Sequence, residues 1–123
     1  MKTSQDPRHK RRQQVIQELF SLQFHKQKVS NFSKTIIEGK ADIDALIHKA
    51  APEFPVEKIN RVDLAILRLA VYEILVYKRE PKNVIIDEAV ELAKEFGNEK
   101  SPAFVNGVLG KIITYDKTSA VKK

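Results

Sequence analysis

The sequence predicts an all-α fold, a compact bundle of about five to six helices. Three observations predict it. Apolar residues recur at three- and four-residue intervals, no stretch alternates with period two beyond a few residues, and helix starts and stops of the Asp-Pro, Ser-Pro, Asn and Gly kind punctuate the chain. One domain spans residues 6–113, with a short disordered start (1–5) and a basic disordered tail (114–123).

The first helix opens at "DPRH", where Asp6 caps free N–H groups and Pro7 suits the first turn because it has no N–H to leave unsatisfied. It runs to about Phe24. At about 100° per residue, Val15, Ile16, Leu19 and Leu22 share one face, and Arg8 and Arg12 continue that stripe. Cations in line with an apolar stripe place the basic start of the helix at the bundle edge. The alternative is a solvated, frayed helix end. A short helix follows, opened by Ser30 or Asn31, carrying Phe32, Ile36 and Ile37 and stopped at Gly39. "DIDALIHKAAP" puts Ile43, Leu46, Ile47 and Ala50 on one face before Pro52, and "PEFP" is a loop. Asn60 and Asp63 resemble a capping box opening an apolar helix from Val62 to Tyr77. Asn83 caps the next helix, lined by Ile85, Ile86, Ala89, Val90, Ala93 and Phe96 and stopped by Gly97. Ser101 and Pro102 open the last, lined by Phe104, Val105, Val108, Leu109, Ile112 and Ile113. Gly107 inside that helix costs about 1 kcal/mol against alanine, and close packing of a neighbouring helix is the reason expected for it.

The net charge of +6 is unevenly placed: residues 1–28 carry +5, residues 29–115 carry −1 and residues 116–123 carry +2. A neutral body with basic ends points to an anionic partner such as nucleic acid. The longest apolar run, Leu64 to Tyr77, is interrupted by Arg68 and Glu73 and falls short of the about 20 residues a bilayer crossing needs, so no membrane partner is expected. The N-terminus has no apolar segment behind its charges and does not read as a secretory signal. The absence of cysteine fits a cytoplasmic location.

Catalytic and metal-binding patterns are sparse. Asp44 and His48 have the spacing of two ligands on one helix face, but two ligands do not make a zinc or iron site, and a surface pair is the plainer reading. Glu88, Glu91 and Glu95 share a helix face opposite the apolar stripe and read as solvation. There is no phosphate-binding glycine loop, no G-x-S-x-G and no cysteine nucleophile. No enzyme activity and no cofactor are expected.

Two blocks carry a resemblance. "VDLAILRLAVYEIL" (62–75) and "VIIDEAVELAKEFGNEKSPAFVNGVLGKI" (84–112) resemble the central and last two helices of the NusB family of bacterial transcription antitermination factors, and "RRQQVIQELF" (11–20) is similar to its basic first helix. Together they cover somewhat under half of the chain. The resemblance implies two small helical subdomains, no catalysis, and binding of boxA elements in ribosomal RNA leader transcripts together with the ribosomal protein NusE, in an RNA polymerase antitermination complex. By position it implies an RNA surface of Arg8, Lys10, Arg11, Arg12 and Phe20, completed by Lys100, Ser101 and Phe104. It also implies a partner surface including Asp63, expected to be exposed, and Glu73. The chain departs from the family pattern at Arg11 (usually small), Phe20 (usually an aromatic hydroxyl) and Asp87 (in "IDEA" where the family has "INEA"). Its segment from about Phe24 to Lys40 is shortened, which implies a missing or truncated helix of the N-terminal subdomain. The leading reading is an RNA-binding antitermination factor acting on boxA-like single-stranded RNA with a NusE-like protein. The alternatives are a NusB-like helical protein-interaction module without sequence-specific RNA binding, and an accessory module of an RNA methyltransferase.

Overall fold

The computed structural model describes the backbone of residues 6–121 and the side chains of residues 6–115; the expectation for residues 1–5 lies outside the described residues. The elements are α1 (Pro7–Leu22), α2 (Asn31–Glu38), α3 (Lys40–Ala50), a 3-10 turn (Val56–Lys58), α4 (Arg61–Tyr72) running into a π turn (Glu73–Tyr77), α5 (Lys82–Phe96) and α6 (Ser101–Val121). Among the described residues every regular element is helical, as the periodicity predicts.

The central helix is α4. From Asp63 to Val71 every residue is buried, so the helix is apolar around its whole circumference and packs against α1, α5, α6 and α3. Asn60 caps it, its side-chain oxygen accepting from the backbone N–H groups of Val62 (2.8 Å) and Asp63 (3.2 Å). Arg68, buried in this helix, is satisfied by a two-pronged pair with Asp44 of α3, at 2.9 and 2.8 Å. Asp44 is therefore held by an arginine and is not half of a metal pair with His48.

The shortened segment between α1 and α3 keeps a helix of eight residues, α2, tied back to α1 by one carboxylate. Glu18 accepts from the hydroxyls of Ser30 (2.7 Å) and Ser33 (2.6 Å). Burial works to raise the Glu18 pKa, and the hydroxyl donors outweigh it and hold the carboxyl below its usual range.

Three local expectations change. α5 begins at Lys82 after Pro81, with no side-chain cap, so Asn83 lies inside the helix. α6 continues through Val121, past Thr114 where a tail is expected from the sequence. Tyr115 anchors this extension, donating to the Lys49 carbonyl (3.3 Å) and lying under the Lys49 ammonium (4.4 Å to the ring centre). Gly107 is exposed, and a methyl group built on it meets no atom within 4 Å, so neighbouring helices do not require glycine there. Gly97 is the constrained glycine, because a Cβ at that position would collide with the Ser101 side chain and the Ala93 carbonyl. Gly107→Ala should therefore raise the unfolding free energy by about 0.5–1 kcal/mol in urea denaturation, and a lowered value would place an unseen constraint at that site.

Candidate nucleic-acid interface

The start of α1 forms as the sequence predicts. Asp6 caps it, accepting from the Arg8 N–H at 2.9 Å, and Pro7 sits in the first turn. The five basic residues that follow have four different environments, and helix geometry decides which.

Arg8 is exposed, with 59% of its side chain accessible. Its guanidinium returns to the cap, donating to both oxygens of Asp6 (3.3 and 3.1 Å), which holds the Asp6 carboxyl below its usual range. Lys10 is exposed. Arg11 lies half-buried with its guanidinium over the rings of Phe32 (4.9 Å) and Tyr77 (5.5 Å). Arg12 faces inward and is 3% exposed, a correction to its placement on a free basic surface. It donates two parallel hydrogen bonds to Glu73 at 2.8 and 2.7 Å and a third to Glu80 at 2.9 Å, and its other nitrogen lies 3.4 Å from Glu88. Burial pushes the Arg12 pKa down and these carboxylates push it further up, so the net shift is upward and the guanidinium stays charged. The alignment of Arg12 with the apolar stripe signalled burial, and the acidic partner that permits it is 61 residues away in sequence.

His9 is buried beside it. Its Nδ1 meets Glu88 at 3.0 Å and its Nε2 meets Glu95 at 2.8 Å. A carboxylate on each ring nitrogen favours the imidazolium, in which both nitrogens donate. Burial opposes the charge, and the two carboxylates outweigh burial and hold the pKa above its ordinary value. Glu88 is thus a buried counter-ion and not part of a solvated face. The folded state binds a proton that the unfolded chain releases once pH passes about 6.5. The His9 contribution is therefore complete below that pH and lost as pH rises through the higher folded-state value. Wild type should lose stability relative to His9→Gln as pH rises above about 6.5, measured by urea denaturation; parallel pH profiles would refute the charged pair.

The second half of the predicted surface lies at the start of α6. Lys100 is exposed and Phe104 half-buried, its ring edge-on to Phe54 with centres 5.4 Å apart. Phe54, in the loop before α4, is 45% exposed and is absent from the surface the sequence implies, although an apolar residue inside "PEFP" is a visible signal. Ser101 is buried and accepts from the Asn98 N–H at 3.0 Å. Its hydroxyl also donates to Asp63, so it locks the α6 start to the α4 start and offers nothing to solvent. Phe20 is half-buried against Phe24, which is 60% exposed, with ring centres 5.1 Å apart.

Neither predicted partner residue is exposed. Glu73 holds Arg12, and Asp63 is 5% exposed with one oxygen, Oδ1, lacking a hydrogen-bond partner. Burial raises the Asp63 pKa against the Ser101 hydrogen bond. The first-turn position that suggests exposure is covered because α6 begins directly against it.

Helices α1 and α4 run antiparallel, since Arg12 pairs with Glu73 near one end and Gln23 bonds the Arg61 carbonyl (2.9 Å) near the other. The basic start of α1 and the α4 and α6 starts are thus separated along α1 by about 16 Å, the rise of eleven residues. What these groups offer chemically is positive charge on Arg8, Lys10, Arg11 and Lys100 and partly exposed rings at Phe20, Phe24, Phe54 and Phe104. Among the described residues no group of three or more His, Asp or Glu is placed to hold a metal ion, and no helix is long and apolar enough to cross a membrane.

The model of the NusB family matches residues 2–114. The transcription antitermination protein NusB of Exiguobacterium sp. is 36% identical over 126 residues, spanning 89% of this chain and 98% of that protein. That of Geobacter sulfurreducens is 48% identical over 77 residues, 63% of this chain and 56% of that protein; against relatives of this second kind the chain spans about half their length. Among solved structures, Thermotoga maritima NusB ("T. maritima NusB, P3121, Form 2") superposes with a TM-score of 0.77 at 33% identity, over 91% of this chain and 92% of that one. A chain from a structure of the antitermination factors NusB and NusE with double-stranded RNA shares the fold at a TM-score of 0.77 and 22% identity, over 88% of this chain and 96% of that one. With the family model matched over residues 2–114 and a relative 36% identical along 98% of its own length, the chain belongs to the NusB family.

Proposed function

We propose that this protein is an RNA-binding transcription antitermination factor that acts in the cytoplasm on boxA-like single-stranded elements of ribosomal RNA leaders, with a NusE-like ribosomal protein, in an RNA polymerase antitermination complex. The observation that carries this reading is the match to an antitermination protein along 98% of that protein's length. The site supports it chemically. Arg8, Lys10, Arg11 and Lys100 supply phosphate contacts, and Phe104 with Phe54 and Phe20 with Phe24 supply rings on which unpaired bases stack. Arg12 and Ser101 serve this surface from inside, by fixing the helix starts that carry it.

A protein-interaction module without sequence-specific RNA binding is favoured by one observation. An apolar cleft of about 390 Å³ lies between α2, α3 and the end of α4, lined by Ile43, Leu46, Val71, Leu75 and the exposed Val76. Buried Asp63 and Glu73 cannot meet a partner directly, and this cleft can. Titration of boxA-like and scrambled single-stranded RNA at several salt concentrations separates the readings. An antitermination factor prefers boxA-like RNA at every salt concentration, whereas incidental charge attraction gives the salt slope with no sequence preference.

A further inference from the structure

A second basic and aromatic cluster lies beside the start of α1; it shares Lys10 and Arg11 with the surface above and adds Phe32, Tyr72, Tyr77, Lys78 and Arg79, which that surface does not include. After Tyr72 the α4 helix widens into the π turn, closed by the Lys78 N–H donating to the Glu73 carbonyl (2.8 Å), and Lys78 adopts the left-handed conformation at φ 55°. The widened turn carries Tyr77 back onto Tyr72, their rings stacked with centres 6.2 Å apart, and Phe32 of α2 stands edge-on to both at 5.4 and 5.0 Å. Two guanidinium groups lie over Tyr77: Arg11 at 5.5 Å and Arg79 at 4.9 Å.

Arg11 and Arg79 differ from the other arginines by resting on aromatic rings; Arg61, which likewise forms no ion pair among the described residues, donates to the Gln23 side-chain oxygen (3.5 Å). Arg8, Arg12 and Arg68 each donate to a carboxylate. Among the described residues Arg11 and Arg79 form no ion pair, and each is carried on an aromatic ring instead. A guanidinium supported in this way is already ordered, and its N–H donors have not been taken by a carboxylate. Arg79, Lys78 and Lys10 are exposed and the three rings are partly exposed. Ordered, uncompensated arginines over partly exposed aromatics suit a single nucleic-acid strand, whose phosphates take the N–H groups while bases stack on guanidinium planes and ring faces. A protein partner with acidic side chains could use the cations but would leave the rings without a role.

We propose that Phe32, Tyr77, Arg79 and the ring-borne Arg11 form an extension of the RNA-binding surface, over which a single strand held at the α1 start continues past the π turn. This rests on the RNA-binding reading above and adds a strand path to it. A longer RNA should then bind more tightly than a short one for reasons located at Tyr77 and Arg79.

The test compares fluorescently labelled boxA-like single-stranded RNAs of about five and about twelve nucleotides, within the range of known single-strand site sizes. Wild type, Arg79→Gln and the double variant Tyr77→Leu with Arg79→Gln are titrated, after thermal unfolding shows that each is folded. The proposal predicts that the double variant loses about tenfold in affinity for the longer RNA, the size of one stacked base, and binds the shorter RNA as wild type does. Arg79→Gln, an exposed substitution, should lose part of the same increment and flatten the salt slope for the longer RNA only. If both variants bind both RNAs like wild type, the extension is wrong and the RNA-binding reading stands, with the cluster left as a surface for a protein. If wild type binds neither RNA, the RNA-binding reading fails and this proposal fails with it.

Discussion

Arg12→Gln is expected to lower the unfolding free energy by about 3–5 kcal/mol, the cost of stranding a buried charge whose partner has been removed. The guanidinium is 3% exposed and joins α1 to the end of α4 through Glu73, to the following loop through Glu80 and to α5 through Glu88. Glutamine reaches less far and carries no charge, so it leaves Glu73, itself 3% exposed, facing the interior as an uncompensated carboxylate. Arg8→Gln, one turn earlier and exposed, should change stability by less than about 1 kcal/mol, as exposed ion pairs do. Replacing Arg12 and Glu73 together by leucine should recover most of the loss, because a buried pair exchanged for apolar groups is often neutral. Urea denaturation with an unchanged m-value checks all three. An Arg12→Gln variant as stable as wild type would mean that the basic start of α1 is not locked to the bundle.

The same residue shows where sequence reading stops. Every helix is legible, because three- and four-residue apolar spacing, Asp6-Pro7, Ser30, Asn60 and Gly97 are local signals that the backbone obeys locally. Ion pairing is not local. Arg12 and Glu73 are 61 residues apart, and His9 and Glu95 are 86 apart, so Arg8, Lys10, Arg11 and Arg12 read as one surface when Arg12, like His9 beside it, is internal. Glu88 reads as solvation and Asp63 as exposed for the same reason, since the elements that cover them arrive from elsewhere in the chain. The π turn is invisible in the sequence because nothing in "YEILVY" departs from helical periodicity. Its effect, bringing Tyr77 onto Tyr72 and under Arg79, exists only in three dimensions.

The second large effect concerns the outward-facing cations. Arg8, Lys10 and Arg11 changed together to glutamine should lower affinity for single-stranded RNA strongly while helix content stays close to wild type, because glutamine is nearly as good a helix former as arginine or lysine. Arg12 is left intact in this variant, so loss of binding is not confounded with loss of fold. Phe104→Ala should differ in kind. It removes a ring and no charge, and should cost about 1–3 kcal/mol of binding if a base stacks there, with the salt dependence kept.

The most direct test of the central claim, that the outward cations at the α1 start hold phosphates, is the slope of log K against log salt for one boxA-like single-stranded RNA, measured for wild type and for the Arg8, Lys10, Arg11 triple glutamine variant. The account predicts a slope shallower by about 0.7 for each phosphate that is no longer neutralised, hence by about 2 if all three residues hold a phosphate, together with weaker binding at every salt concentration. Equal slopes and equal affinities for the two proteins would contradict it.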